Sequence, residues 1–103
     1  MDSRTDEELA AAVVTGDFAA FELLVKRYTD KVYRLAWSYV KSDHEAEDVM
    51  QDTFINVYRA LPRFEGKSKL GSWIYRITVN TSLMRLRSKR RRPEVSIEGS
   101  KPE

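Results

Sequence analysis

The stretch Phe64-Glu-Gly-Lys-Ser-Lys-Leu-Gly-Ser-Trp73-Ile-Tyr-Arg-Ile-Thr-Val-Asn80 sets a loop with two lysines directly before a helix. That helix opens with Trp73, Tyr75 and Arg76 and carries Asn80 one turn later. Cations can meet phosphates, flat rings can stack on bases, and an amide can address a base edge. Six further cations follow within eight residues: Arg85, Arg87, Lys89, Arg90, Arg91 and Arg92. Their density points to phosphate contacts, although cations at a helix C-terminus also suit the dipole. Asparagine competes for backbone hydrogen bonds inside a helix, so Asn80 needs a partner, either a neighbouring carbonyl or a base edge. Phe64, the Lys67–Gly71 loop and Asn80 together could take a base pulled out of its stack. Trp73 alone reads more readily as core. Tyr75 lies on another face, so at least one ring should be accessible.

Other chemistry has little to work with. The chain holds one histidine, His44, and no cysteine, so Ser–His–acid and Cys–His arrangements are not expected. His44, Glu47 and Asp48 share a turn but read better as a solvated, acidic helix start than as a metal site. Gly66 and Gly71 lack the spacing of a nucleotide phosphate loop. No cofactor and no enzymatic activity is therefore expected.

The 103 residues suit one domain with a modest core. The net charge of +2 conceals a split. Residues 1–52 carry 6 Lys/Arg against 12 Asp/Glu, and residues 53–103 carry 12 against 4. Two partners of opposite sign are implied, one of them a polyanion. No apolar run approaches the length of a membrane span, and the absence of cysteine fits a cytoplasmic location.

Four helices must position the site. Thr5 and Glu8 make a capping box for a first helix that ends near Gly16. Asp17 caps a second helix running to about Val40, with Phe21, Leu24, Val25, Tyr28, Val32, Leu35, Ala36 and Tyr39 on one stripe. Tyr33, Trp37 and Val40 form another. Ser42 and Glu45 make a second capping box, and the third helix runs to Leu61, where Pro62 stops it. Its expected core stripe is Ala46, Met50, Phe54, Val57 and Leu61. The opposite face carries Asp48, Gln51, Asp52, Ile55 and Arg59, where an isoleucine among polar residues hints at docking. The fourth helix starts at Leu70 to Ser72 and continues to about Arg90. Trp73, Ile77, Thr81 and Met84 are its expected inward side, while Arg76, Asn80, Leu83 and Arg87 form a strip along its edge. Residues 1–92 thus read as an all-α domain and 93–103 as a disordered tail or linker.

Asp48-Val-Met-Gln-Asp-Thr-Phe54 through Phe64, followed by Trp73-Ile-Tyr-Arg-Ile-Thr-Val-Asn80, resembles region 2 of bacterial sigma factors, most closely the extracytoplasmic-function group. The resemblance covers Asp17 to about Arg92. It implies a helical unit that docks on the clamp helices of core RNA polymerase and captures the single-stranded non-template strand of the promoter minus-ten element. Polymerase contacts would fall on Asp48, Gln51, Asp52, Ile55, Asn56 and Arg59. Promoter contacts would fall on Phe64, Lys67, Ser68, Lys69, Leu70, Arg76 and Asn80, with Tyr75 and Arg76 assisting melting and Arg87 extending the strip. It also implies that an anti-sigma partner can hold such a domain inactive. Full members carry a second, helix-turn-helix domain that reads the minus-thirty-five element. Nothing here could form one, so a piece ending in the interdomain linker is expected. The alternative is a helical protein-interaction module without nucleic-acid readout. A helix-turn-helix duplex reader fits less well, because residues 63–71 are too long for that motif's turn.

Overall fold

The structure, a computed structural model, describes residues 3–91, 96–97 and 100–101. Arg92 and most of the expected tail lie outside the described residues. Within the tail, Ser96–Ile97 pairs antiparallel with Ser100–Lys101, a ladder too short to leave a strand pattern in the sequence. Four helices make the domain: α1 (Asp6–Val14), α2 (Phe18–Val40), α3 (Asp43–Ala60) and α4 (Leu70–Arg91). No described helix is long and apolar enough to cross a membrane.

The helix starts follow from side-chain oxygens that satisfy free backbone N–H groups. Thr5 Oγ1 accepts from the Glu8 amide at 3.1 Å, and Glu8 Oε1 accepts from the Thr5 amide at 2.8 Å, completing the expected box. Gly16, at φ 104°, ends α1 in a backbone conformation that a Cβ disfavours. Asp17 caps α2 through the Ala20 amide. Ser42 caps α3 through the Glu45 amide, but the Glu45 carboxylate turns away to Lys89 and Arg85 on α4. Half of that second box is therefore replaced by a long-range ion pair. Pro62 sits in a 3-10 turn, Leu61–Arg63, that closes α3 one residue earlier than expected.

The central helix α2 buries Ala20, Leu24, Tyr28, Val32, Ala36 and Val40, spaced four residues apart. That single ridge, with alanine near each end, lets its neighbours approach closely. Leu9, Leu24, Val32, Val57, Leu61, Leu70 and Ile74 form the main core at the α1 end. A smaller cluster, Ala36, Val40, Ala46 and Val49, closes the other end.

The expected α4 stripe and the middle of the α3 stripe are corrected by one helical position, while Ala46, Val57 and Leu61 are buried as expected. On α3 the buried line is Ala46, Val49, Thr53 and Val57, with Met50 and Phe54 only partly buried. On α4 it is Leu70, Ile74, Thr78 and Ser82. Trp73, Ile77 and Thr81 flank that line, and Met84 is 64% exposed. On α4 the cause is size and satisfaction; on α3 the Thr53 hydroxyl is buried without a hydrogen bond. Thr78 donates to the Ile74 carbonyl at 2.9 Å and Ser82 to the Thr78 carbonyl at 2.8 Å. Both hydroxyls are thus silent inside the core, and small side chains permit a close helix contact.

The short α1 is tied down by its acids. Asp6 accepts from the Tyr28 hydroxyl and from Arg27. Burial first, and then this carboxylate, hold the Tyr28 hydroxyl protonated well above the usual tyrosine range. Glu7 accepts from the Leu70 amide at 3.3 Å. It serves a helix start whose cap position is Lys69, a side chain with no acceptor.

At Gly71 the chain passes so close to Tyr28 that a Cβ would lie 2.9 Å from the hydroxyl oxygen. Because Asp6 holds that oxygen, it cannot readily yield. Gly71→Ala should cost about 1–3 kcal/mol through overpacking, despite the better helix propensity of alanine. In a Tyr28→Phe background that cost should vanish or reverse, which urea denaturation of the two single variants and the double variant will measure.

Candidate nucleic-acid interface

After the 3-10 turn the chain extends at Phe64 and reverses through Gly66, at φ 75°. Phe64 lies against Trp73 with ring centroids 4.9 Å apart. Arg76, one turn beyond Trp73 on α4, donates to the Ser68 hydroxyl at 3.3 Å and so fastens the loop to the helix. Between them lies an open cavity of about 200 Å³, walled by Arg63, Phe64, Glu65, Lys67, Ser68, Trp73 and Arg76. It is smaller than the roughly 300–1,000 Å³ of a drug-sized site and suits one planar ring. Two aromatic edges and three cations face it, with Glu65 as the single acid. Lys67 pairs with Glu65 at 3.1 Å, but both side chains are well exposed and the pair is weak.

Of the expected contact residues, Phe64, Lys67, Ser68 and Arg76 therefore come together. Asn80 is exposed but does not line this cavity; Arg76 occupies the place expected of it. Lys69 and Tyr75 line a different hollow, of about 450 Å³, with Asp6, Glu7, Tyr28, Gly71 and Ser72. Tyr75 is half-buried, its ring edge-on to Tyr28 at 5.9 Å. Leu70 is a correction. Its side chain is fully buried in the core, so it has no surface to offer a ligand. Trp73 unites the two readings of it, packing on the core while its edge walls the cavity. Arg63 and Glu65 were missed, and only their adjacency to Phe64 could have signalled them.

Helical geometry separates two faces of α4. At 3.6 residues per turn, Arg76, Asn80 and Arg87 fall opposite the buried line of Thr78 and Ser82. Arg87 and Arg90 are exposed on the outer side, without an ion pair among the described residues. Arg85 and Lys89 instead continue the inward line, where they meet acids of α3.

The polar face of α3 forms one wall of a groove of about 450 Å³ lined by Asp52, Ile55, Asn56 and Arg59, with Thr81, Met84 and Arg85 from α4 opposite. Ile55 and Met84 are both exposed large apolar residues. Asn56 donates to Thr81 Oγ1 at 3.3 Å across the groove. Gln51 is exposed beside it, and Asp48 is half-buried in an ion pair with Arg85 at 3.2 Å. The α4 wall was not foreseen, because Thr81 and Met84 were assigned to the core. Among the described residues no group of three His, Cys, Asp or Glu side chains could hold a metal.

The family profile described as Sigma-70 region 2 matches residues 24–92. The ECF RNA polymerase sigma-E factor of Escherichia coli K12 is 47% identical over 92 residues, covering 89% of this chain and 48% of the relative. The RNA polymerase sigma-H factor of Pseudomonas aeruginosa is 43% identical over 88 residues, covering 85% and 46%. The chain thus spans about half the length of the curated relatives it matches. An NMR structure of an engineered region 2 of sigmaE in complex with GTAAAA superposes with a TM-score of 0.82 at 44% identity, covering 89% of this chain and 97% of that one. CnrH in complex with the cytosolic domain of CnrY gives 0.69 at 30% identity, covering 82% and 60%. Four helices in this arrangement, a profile match over most of α2 to α4 and relatives at 43–47% identity lead to one assignment: the chain belongs to the sigma-70 region 2 family, of the extracytoplasmic-function kind.

Proposed function

We propose that the chain acts as the part of a sigma factor that docks on core RNA polymerase and captures the non-template strand of the promoter minus-ten element. No catalysis is required of it: strand melting follows from preferential binding of the single-stranded form. The observation that carries this reading is the cavity between residues 63–68 and α4, where Phe64, Trp73 and Arg76 converge on a space for one ring. The complex of the related sigmaE region 2 with GTAAAA supports a short single strand as the ligand. An extruded base would lie against Phe64 and Trp73, with Arg76 at its edge or its phosphate. Asn80, one turn along the exposed strip, would address a neighbouring base, and Arg87 would meet the phosphates further on. Lys69 and Tyr75 would border the strand from the adjoining hollow.

The groove on the outer side of α3 is the proposed polymerase surface. Ile55 and Met84 would supply an apolar floor, and Asp48, Gln51, Asp52, Asn56 and Arg59 its polar rim. Polymerase works in the bacterial cytoplasm, and the chain would act there. The complex of CnrH with the cytosolic domain of CnrY supports a further protein partner, which the resemblance suggests is an anti-sigma factor.

Two measurements separate this reading from a plain protein-interaction module. In fluorescence anisotropy with single-stranded hexamers, one base change should cost about 1–3 kcal/mol, and Asn80→Ala should relax discrimination at a single position. Arg76→Ala should weaken every sequence. Binding without base preference, unaffected by either variant, would contradict strand capture. In pull-downs with the polymerase clamp helices, Ile55→Ser and Asp52→Lys should each weaken capture by about tenfold or more, as expected of central interface positions. Retained polymerase binding with no nucleic-acid affinity at low salt would favour the interaction module.

A further inference from the structure

Glu45 is a largely buried acid to which the strand-capture reading gives no role. Its side chain is 17% exposed, and Oε2 pairs with Lys89 Nζ at 2.7 Å. Oε1 is buried without a hydrogen bond, with Arg85 Nε at 3.9 Å. Arg85 turns its other end to Asp48 Oδ2 at 3.2 Å. A carboxylate so removed from water is stable only while cations stay beside it. The contact therefore binds both ways: the acids fix the cations, and the cations compensate the acids. Arg87 and Arg90, between and beyond them in sequence, point outward and have no such partner among the described residues.

We propose that Glu45, with Asp48, is a positioning residue that withholds Arg85 and Lys89 from nucleic-acid phosphate. The basic end of α4 then offers a strand its outward cations alone. The inference rests on the strand-capture reading and deepens it. Phosphate contacts add affinity for every sequence alike. Holding two cations against α3 limits that sequence-blind share and leaves the loop cavity and Asn80 a larger part of the total. The same pairs anchor the far end of α4, which keeps its outward strip in line with the cavity.

The test is the salt dependence of single-stranded oligonucleotide binding by the folded chain and its variants. Glu45→Gln frees Lys89 while Asp48 still holds Arg85, so it should raise affinity for all sequences and steepen the slope of log K against log salt by roughly 0.7, the yield of one new phosphate contact. Glu47→Gln, the same charge change at an exposed glutamate on the same helix, should leave the slope unaltered. Adding Lys89→Gln to Glu45→Gln should return that gain. Equal slopes for the Glu45 and Glu47 variants would overturn the proposal, as would a flatter slope for Lys89→Gln alone. If base discrimination persists while those slopes stay equal, the withholding role alone falls. If no form binds any oligonucleotide at low salt, strand capture itself falls, and this role with it.

Discussion

Thr78 and Ser82 return their hydroxyl hydrogens to carbonyls of their own helix, and α4 can therefore lie flat against the bundle along small side chains. Had that face carried exposed or unsatisfied polar groups, the helix would have to stand off or rotate. Because it does not rotate, Arg76, Asn80 and Arg87 are committed to solvent by the 3.6-residue period. The loop cavity, the α3–α4 groove and the ion pairs at the end of α4 follow from that rotational setting. The loop cavity exists because Trp73 sits at the edge of the buried line, Phe64 covers it, and Arg76 reaches back to Ser68.

The same setting gives α4 a second task. Its inward line does not stop at Ser82 but runs on into Arg85 and Lys89, which meet Asp48 and Glu45. A helix that begins in an apolar core thus ends in an ion-pair seam. The groove on α3 borrows Thr81, Met84 and Arg85 from it, so the proposed polymerase surface and the proposed strand surface are two sides of one rod. Asp48 pairs with Arg85, so a partner that engages Asp48 would act on Arg85 as well.

Much of this architecture is legible in the residues because it depends on local rules. Thr5, Asp17 and Ser42 announce helix starts, and Gly16 and Pro62 announce ends, each through chemistry confined to a few neighbours. The charge split and the Phe64–Asn80 stretch likewise mark where the proposed interface lies. The rotation of α4 is not legible in that way. A hydropathy stripe weights Trp73, Ile77 and Met84, whereas the packed line uses Leu70, Ile74, Thr78 and Ser82, whose polarity is cancelled only within the folded helix. Leu70 falls on the ligand surface only through the family resemblance, whereas in the fold it roots α4 in the core. Glu45 looked like half of a capping box, and no local signal tells that Lys89, on another helix, would claim it.

One unstacked base is proposed to lie between the Phe64–Trp73 pair and Arg76. Intermolecular NOEs between an isotope-labelled chain and an unlabelled single-stranded hexamer test it most directly. Contacts are expected from the protons of one base to the rings of both Phe64 and Trp73. Contacts confined to the Arg87–Arg90 end of α4, with both rings unperturbed by the strand, would contradict it.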